Sequence, residues 1–311
     1  MLFSIDDPLI WGVLPFRHLC NPSNMRWSLG SYDICFTNPF LSAYFSLGQV
    51  LPTHRLAHSV HGGPFQPTVT QCIRLLSSGP FAPLPPYTTP FTRRKPPPAL
   101  TDPFSSPNSD AQHYTTTGHD SFPSPSSSGA ARHAWVHVFP EGKVHQAAAY
   151  GVRYFRWGVA RLILEAEPCP DVVPIWIEGA EDVMPEARPP PRWAPRLGAR
   201  VHVTFGERVP RAVWEGFRER WRGLVERVGG LEAAEGGVLR AEELRTGWEA
   251  VQLRIEVASA VRDEIMKLRR GRGWIDEDPK AGVVETYAKE GRRGTGRMDD
   301  GSWVGDTRNS V

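Results

Sequence analysis

The sequence lacks the features that several large protein classes require. No run of about 18 uninterrupted apolar residues is present, so the sequence predicts no transmembrane helix. The 311 residues include only 4 cysteines, which show neither CxxC spacing nor a metal-binding pattern with histidine. We therefore expect reduced thiols and no metal site. The formal charge of +2 gives no argument for nucleic acid as a partner.

Aliphatic residues are scarce in two segments, and this scarcity sets the expected domain boundaries. Residues from about 77 to 131 consist largely of Pro, Ser, Thr and Gly, and such a composition predicts a disordered insert. Gly, Arg and Asp dominate residues 271–311, which we expect to be a disordered tail. The sequence thus predicts a main domain over 1–210, interrupted by the insert, and a helical C-terminal extension over 211–270.

Apolar residues at helical spacing fill the predicted C-terminal extension. They indicate one helix over 212–228 and a longer one over 238–268. Packing against the sheet or another helix is one interpretation of their apolar stripes. A membrane-surface helix is the other, although the many acidic residues argue against it on an anionic bilayer.

The most informative stretch lies near the middle of the chain. Trp135, His137 and Phe139 alternate with apolar neighbours, which is typical of a strand. Pro140, Glu141 and Gly142 follow at once and predict a tight turn at the carboxyl end of that strand. The turn presents the Glu141 carboxylate and the Lys143 cation over exposed backbone.

The next segments indicate a strand, a helix and a second strand. Residues 154–166 show helical spacing, and residues 172–177 form an apolar strand that ends at Glu178 and Gly179. A crossover of this length favours parallel strands, so the two turns should share one carboxyl edge. Residues 200–205 add another strand. The prediction is a mixed α/β fold with a largely parallel central sheet flanked by helices.

The first 60 residues contain one predicted helix start and two features that each permit two interpretations. Asp6 or Asp7 is suited to be the N-cap of a helix that begins near Pro8. The apolar run 40–47 predicts either a buried core helix or a surface that dips into a bilayer. Arg55 ends a short strand and is either a solvated surface cation or a ligand for a phosphate or carboxylate.

Several of these segments resemble the motifs of the glycerolipid acyltransferase superfamily. They are Ser4 to Pro8 for the end of the first motif, Gly48 to Arg55 for the second, Phe139 to Lys143 for the third and Val173 to Ile175 for the fourth. Further segments narrow the resemblance to one fungal-like branch: Met25 to Trp27, Asp33 to Phe36, Phe45 to Gly48, Trp135 to His137 and Arg156 to Arg161. Together they span residues 4–206, apart from the insert.

The resemblance implies an enzyme that moves acyl groups between phospholipids and lysophospholipids without coenzyme A or any other cofactor. Its substrates would be cardiolipin and monolysocardiolipin. It would act as a peripheral or interfacial protein on the outer and inner mitochondrial membranes, facing the intermembrane space. In the family's first motif a histidine precedes an aspartate by five positions and acts as general base, and the aspartate orients it. The aspartate corresponds to Asp6, while Arg55 and the turn Phe139–Gly142 with Lys143 would hold the glycerol and phosphate.

The sequence departs from that pattern at the catalytic base, because Met1 stands where the histidine belongs. A thioether does not accept a proton at neutral pH. We expect either that the gene model begins one exon late or that the chain is a lipid-binding pseudoenzyme, and the truncated gene model is favoured. His137 and His145 are poor substitutes on sequence grounds, since His137 shares the core-facing side of its strand. Leu56 also departs from the second motif, where glycine is common.

Overall fold

The computed structural model describes residues 6–21, 24–56, 58–77, 113–125, 135–142, 146, 150–185 and 194–287. Its helices are α1 (Asp6–Gly12), α2 (Phe16–Leu19), α3 (Tyr32–Cys35), α4 (Pro39–Leu47), α5 (Pro67–Leu76), α6 (Gly158–Glu165), α7 (Ala180–Val183), α8 (Ala212–Val228), α9 (Glu242–Thr246) and α10 (Trp248–Gly271). Its strands are β1 (Trp27–Ser31), β2 (Val50–Thr53), β3 (His113–Tyr114), β4 (Phe122–Pro123), β5 (Val136–His137), β6 (Ile175–Glu178), β7 (His202–Phe205), β8 (Ala234–Glu235) and β9 (Val238–Leu239).

A three-stranded parallel sheet with the order β2-β1-β5 forms the centre of the N-terminal half. Ser28 pairs with Val50 on one side of β1 and with His137 on the other. Parallel neighbours need a crossover connection, which α3 and α4 provide between β1 and β2. The predicted mixed α/β fold with parallel strands, flanking helices and C-terminal helices is confirmed.

Helix α4 begins where its sequence allows a helix to begin. Oδ1 of Asn38 accepts a hydrogen bond from the backbone N–H of Leu41 at 2.9 Å, and Pro39 occupies the first helical position. An asparagine N-cap followed by proline satisfies a free amide and presets the first turn. The helix packs beside β2.

Two apolar cores lie on either side of α6. The smaller core joins the sheet to α5 and α6, with Trp27, Leu51 and Ile73 among its buried residues. The larger core joins α6 and β6 to α8 and α10 around the fully buried Trp214. The C-terminal helices therefore pack on the domain, as one of the two interpretations predicted. Across the described ranges, no helix combines the length and apolar composition needed to cross a membrane.

The structure corrects the expectation that β5 and β6 share one parallel sheet. β6 pairs antiparallel with β7 in a separate two-stranded sheet, and Ile175 lies opposite Phe205. Backbone hydrogen bonds extend this pairing, since Gly206 donates to Pro174 and Val209 donates to Val172. A connection that is long enough to join two parallel strands does not force them to pair. Here β6 pairs instead with β7, which follows it in the chain.

Part of the predicted insert is an ordered hairpin. Strands β3 and β4 pair antiparallel, and Tyr114 and Phe122 are buried against Phe36. Disorder was therefore the wrong expectation for 113–125, because a few aromatic residues give this part a core that its flanks lack. Residues 78–112 and 126–131 of the insert lie outside the described ranges.

The first part of the predicted tail is also packed. The Tyr287 side chain is 7% exposed, and Glu277 accepts a hydrogen bond from the backbone N–H of Val152 at 2.8 Å. The expectation of disorder is wrong for 272–287, while residues 288–311 lie outside the description. The division into domains otherwise stays a prediction.

Candidate functional site

The central sheet brings three polar segments to one edge. Asp33 lies on the short helix after β1, Arg55 follows β2, and the turn Phe139–Gly142 follows β5. Because the three strands are parallel, their carboxyl ends meet at the same edge. Arg55 and the turn are two strands apart, which corresponds to about 10 Å at ordinary strand spacing. This edge is the candidate site.

Arg55 is fixed by a carboxylate that the sequence had not linked to it. Its Nε donates to Oδ1 of Asp33 at 3.2 Å, and its Nη2 donates to Oδ2 of the same residue. Both side chains are partly exposed. Burial by itself would raise the pKa of Asp33, but hydrogen bonds from Arg55 and Ser31 hold it below its ordinary value. The pair leaves three of the five guanidinium N–H donors for a further anion.

The predicted turn at the end of β5 is confirmed. The backbone N–H of Gly142 donates to the carbonyl oxygen of Phe139 at 3.0 Å. Gly142 has φ +64°, a conformation that glycine adopts at little cost. Phe139 is exposed, whereas the carbonyl of Pro140 accepts a hydrogen bond from the backbone N–H of Arg156 at 2.7 Å. The turn is thereby attached to the segment that leads into α6.

The Glu141 side chain is hydrogen-bonded to the protein backbone. Its Oε2 accepts a hydrogen bond from the backbone N–H of Arg153 at 2.9 Å. Burial raises the pKa of Glu141 to about 7, against the opposing influence of that N–H and of the Arg153 and Arg262 charges. In this arrangement Glu141 shapes the turn. Contact of Glu141 with a lipid head group stays a prediction.

A second carboxylate, Asp7, forms the densest polar network near the site. Its oxygens accept hydrogen bonds from four side chains on three parts of the fold, as follows: Trp11 Nε1 at 2.9 Å, Arg26 Nε at 3.3 Å and also its Nη2, Ser28 Oγ at 3.3 Å, and His137 Nδ1 at 2.9 Å. Burial alone would raise the pKa of Asp7, but hydrogen bonds from His137 and Arg26 hold it far below its ordinary value. The network joins α1 to β1 and to the last residue of β5.

The sequence predictions missed this role of Asp7. One available signal was Trp11, which lies four residues later and so shares a helix face with Asp7. Ser28 and His137 are cross-strand neighbours, but this relationship follows from the register and not from the local sequence. Because an ionised carboxylate only accepts hydrogen bonds, Nδ1 of His137 carries the hydrogen. His137 is buried, as its strand alternation predicted.

Four other residues singled out in the sequence differ in whether the structure describes them. Asp6 lies in the first turn of α1 and is half-buried. Lys143 and His145 are outside the described residues, as is Met1. The roles of Asp6 and Lys143 therefore stay predictions.

Glu178 does not belong to this edge, which corrects the expectation that its turn lies beside Glu141. It sits at the end of β6 in the other sheet and accepts hydrogen bonds from Trp176, Trp274 and Arg272 at 2.7–2.9 Å. Burial alone would raise the pKa of Glu178. The three hydrogen bonds, of which that from Arg272 has the largest effect, lower it to about 2. Glu178 thus attaches the end of α10 to β6.

The ordered hairpin of the insert contacts the residue before Arg55. Nε2 of His54 lies 2.8 Å from Oγ1 of Thr116, and the Thr116 hydroxyl bonds to Oδ2 of Asp120. The carboxylate can only accept, so the hydroxyl donates to Asp120 and its oxygen accepts from His54. The His54 ring also stacks on Tyr32 at 4.4 Å between centroids. The insert therefore supports one end of the candidate site.

The described residues at this edge offer acidic, basic and backbone groups. No three side chains among His, Cys, Asp and Glu converge as metal ligands in the part of the chain that the structure describes. The groups present are suited to hydrogen bonding and to anion binding.

Comparison with known proteins gives a consistent result, although no protein-family model matches the chain. The chain is 34% identical over 284 residues to Tafazzin of Saccharomyces cerevisiae, an alignment that covers 89% of this chain and 66% of that protein. It is 30% identical over 210 residues to Taffazin of Dictyostelium discoideum, covering 66% of this chain and 51% of that protein. It is 28% identical over 202 residues to Tafazzin of Drosophila melanogaster, covering 65% of this chain and 36% of that protein.

The chain spans just under two thirds of the yeast protein and less of the other two. The yeast alignment nonetheless extends over most of this chain, well beyond the turn after β5. On this similarity, the chain belongs to the tafazzin family.

Proposed function

We propose that this protein carries the fold of a phospholipid–lysophospholipid transacylase that works without coenzyme A. The supporting observation is the strand order β2-β1-β5, which brings Arg55 and the turn Phe139–Gly142 to one sheet edge. The distance of about 10 Å expected across two strand spacings would accommodate a glycerophosphate group between them. A phosphate would bind the N–H donors of Arg55 that Asp33 does not occupy, and the glycerol would lie toward the turn.

The chemistry requires a base but no redox partner. The lysophospholipid hydroxyl oxygen attacks the ester carbonyl of the donor phospholipid while its proton passes to a base. The tetrahedral intermediate then expels the donor's alkoxide, which takes up the proton. One ester forms and one breaks, so a diacyl lipid and a lysolipid are regenerated. In this family's first motif the base is a histidine oriented by the aspartate at the position of Asp6.

With Met1 in the histidine position, the chain 1–311 has no residue that can take this proton in the expected place. We propose that the chain as written is inactive in acyl exchange. Cardiolipin and monolysocardiolipin are the proposed substrates, and mitochondrial membranes facing the intermembrane space are the proposed location. Both rest on the family resemblance.

The test compares the chain as written with a Met1→His variant that follows an added initiator methionine. Each protein is supplied with labelled diacyl phospholipid and lysophospholipid without coenzyme A, and the yeast relative is the positive control. We expect exchange from the variant and none from the unaltered chain. Exchange by the unaltered chain at a rate like that of the yeast protein would contradict the assignment of the base.

Two other functions remain as alternatives. A coenzyme-A-dependent lysophosphatidate acyltransferase would use the same edge, and acyl-CoA supplied as the only donor distinguishes it. A non-catalytic lipid-binding protein would also be consistent with the methionine at the base position. Lipid binding without exchange from either donor by the Met1→His variant would support that alternative.

A further inference from the structure

We propose that the outer face of α4 is the surface through which this protein contacts a phospholipid bilayer. This face is defined by Phe40, Ala43, Tyr44 and Leu47. The proposal rests on the proposed function, since it names the source from which lipid would enter the candidate site. Of the two interpretations that the sequence of this helix left open, it develops the second, a surface that dips into a bilayer.

The exposure of these side chains is unusual for their size. Phe40 is 78% exposed, Tyr44 is 63% exposed and Leu47 is 84% exposed. Their spacing of four and three residues places them on one side of the helix. In the part of the chain that the structure describes, α4 has no buried residue. An apolar stripe that the described part of the chain leaves mostly exposed indicates an interaction surface.

The opposite side of α4 supplies the anchorage that such a surface needs. Phe45 packs against the core cluster that contains Phe36, with 6.1 Å between their ring centroids. The helix is further held by its packing on β2 and by the Asn38 cap. Apolar side chains therefore occupy both sides of α4, and only one side is accounted for by the core.

The charge distribution fits a bilayer better than a polar protein surface. Helix α4 contains no Asp or Glu, and the sequence has none from 34 to 101. A helix face without acidic residues avoids repulsion from anionic head groups. The partly exposed Arg55 follows β2, the strand on which α4 packs, and its cation attracts such head groups. Tyr44 adds a ring with a polar tip, which suits the boundary between head groups and acyl chains.

The position of the face relative to the site supports the same occupant. The loop after β2 carries Arg55 together with Leu56 and Val60, which are 65% and 93% exposed. The amino end of α4 begins six residues after Asp33, the partner of Arg55. Exposed apolar side chains therefore occur both in the loop that carries Arg55 and on the helix that follows Asp33. A lipid could present its phosphate to Arg55 while its acyl chains stay in the membrane.

Flotation with vesicles provides the test. The vesicles contain phosphatidylcholine with a minor fraction of phosphatidylglycerol. The variant combines Phe40→Ser, Tyr44→Ser and Leu47→Ser. Removing three exposed apolar side chains should lower the vesicle partition coefficient about tenfold or more.

A matched control combines Leu231→Ser, Trp248→Ser and Ile275→Ser. These side chains are 76–78% exposed but belong to the C-terminal half. The control should bind vesicles as the unaltered chain does. A separate variant, Ala43→Glu, keeps the large apolar groups and should weaken binding to the anionic vesicles more than to pure phosphatidylcholine.

The outcomes separate this proposal from the proposed function. Unchanged vesicle binding by the triple variant would overturn the docking surface, whatever the enzyme activity. A change in oligomeric state by sedimentation, with vesicle binding retained, would assign the face to a second copy of the chain and would also overturn it. Loss of vesicle binding, without any exchange by the Met1→His chain on dispersed short-chain lipids, would support the docking surface while the proposed activity fails.

Discussion

Oδ1 of Asp7 lies 2.9 Å from Nδ1 of His137 and connects the first helix to the strand that precedes the turn Phe139–Gly142. Asp7 is also paired with the mostly buried Arg26. The sequence resemblance drew attention to Asp6, but the neighbouring carboxylate holds this part of the fold together. Since α1 also carries Asp6, the geometry of the first motif depends on Asp7.

Replacing Asp7 with asparagine should destabilise the protein strongly. The change preserves the shape but leaves the Arg26 charge without its counterion, which costs about 3 kcal/mol for a largely buried pair. Urea unfolding followed by tryptophan fluorescence measures the loss. Asp171→Asn is the control, because that carboxylate pairs with Arg208 and Arg211 in exposed positions and should cost less than about 1 kcal/mol. Equal effects of the two substitutions would contradict the importance of the Asp7 network.

Glu141 should make stability depend on pH in an unusual direction. Its pKa rises from the ordinary 4.5 to about 7 on folding because of burial. The folded state thus retains a proton that the unfolded chain has lost. The contribution is fully present below pH 4.5 and disappears as the pH rises to about 7. Glu141→Gln should remove this part of the pH dependence.

The control for that experiment is a carboxylate with the opposite shift. The pKa of Glu178 falls to about 2, so its contribution to stability is present above pH 4.5 and disappears as the pH falls toward 2. Glu178→Gln should therefore alter only the acid side of the stability profile. Denaturant midpoints measured across this pH range distinguish the two. A profile of Glu141→Gln that parallels the unaltered protein between pH 4.5 and 7 would contradict the prediction.

Asp33 should weaken anion binding at Arg55 by occupying the same guanidinium edge. Asp33→Asn replaces one of the two acceptor oxygens with an NH2 group and removes a negative charge, so the dissociation constant for glycerol 3-phosphate should fall several-fold. Arg55→Lys should raise it, because lysine cannot form the two-pronged contact. Isothermal titration calorimetry at low ionic strength measures both. Weaker binding by Asp33→Asn would instead indicate that Asp33 mainly positions Arg55.

The ordered hairpin of the insert should be needed to support the loop that carries Arg55. Asp120→Ala removes the acceptor that binds Thr115, Thr116 and two backbone amides. We expect a loss of about 2 kcal/mol and faster proteolysis near this hairpin. His119→Ala, at the exposed tip of the same hairpin, should change neither. Equal protease resistance of the two variants would show that the Asp120 network is dispensable.

The sequence predicted the local elements far better than their partners. The alternation around His137 and the Pro-Glu-Gly turn were sufficient to locate β5 and its end, since both depend on neighbouring residues. The pairing of β6 with β7 was missed because strand partners are chosen by long-range register, which periodicity does not encode. For the same reason the acceptor role of Asp7 toward Ser28 and His137 was not visible.

Composition gave a similar mixture of success and error. The Pro- and Ser-rich character of the insert correctly indicated few aliphatic residues, but Tyr114 and Phe122 were enough to attach one hairpin to Phe36. The apolar run 40–47 predicted a helix, but it did not predict which side of the helix is packed, because apolar residues occur on both sides. Only the packed structure distinguishes the side that faces Phe36 from the side left exposed.

Two glycines with nearly identical φ angles allow steric clash to be separated from backbone strain. Gly179 has φ +85°, and a Cβ there would lie 2.0 Å from the carbonyl oxygen of Arg200. Gly198 has φ +84° but has no atom within 4 Å of the same position. Gly198→Ala should therefore cost only the strain of about 1–2 kcal/mol for a left-handed alanine.

Gly179→Ala must add to that strain a displacement of the Arg200 backbone, which lies next to β7. We expect a loss greater than about 3 kcal/mol and disruption of the β6–β7 pairing. Urea unfolding gives the difference between the two variants, and amide hydrogen exchange of β6 and β7 locates it. Similar losses at both sites would mean that the backbone at Arg200 moves aside at little cost. Faster exchange confined to other parts of the protein would not support the prediction, because the predicted effect is on β6 and β7, the strands next to the clash.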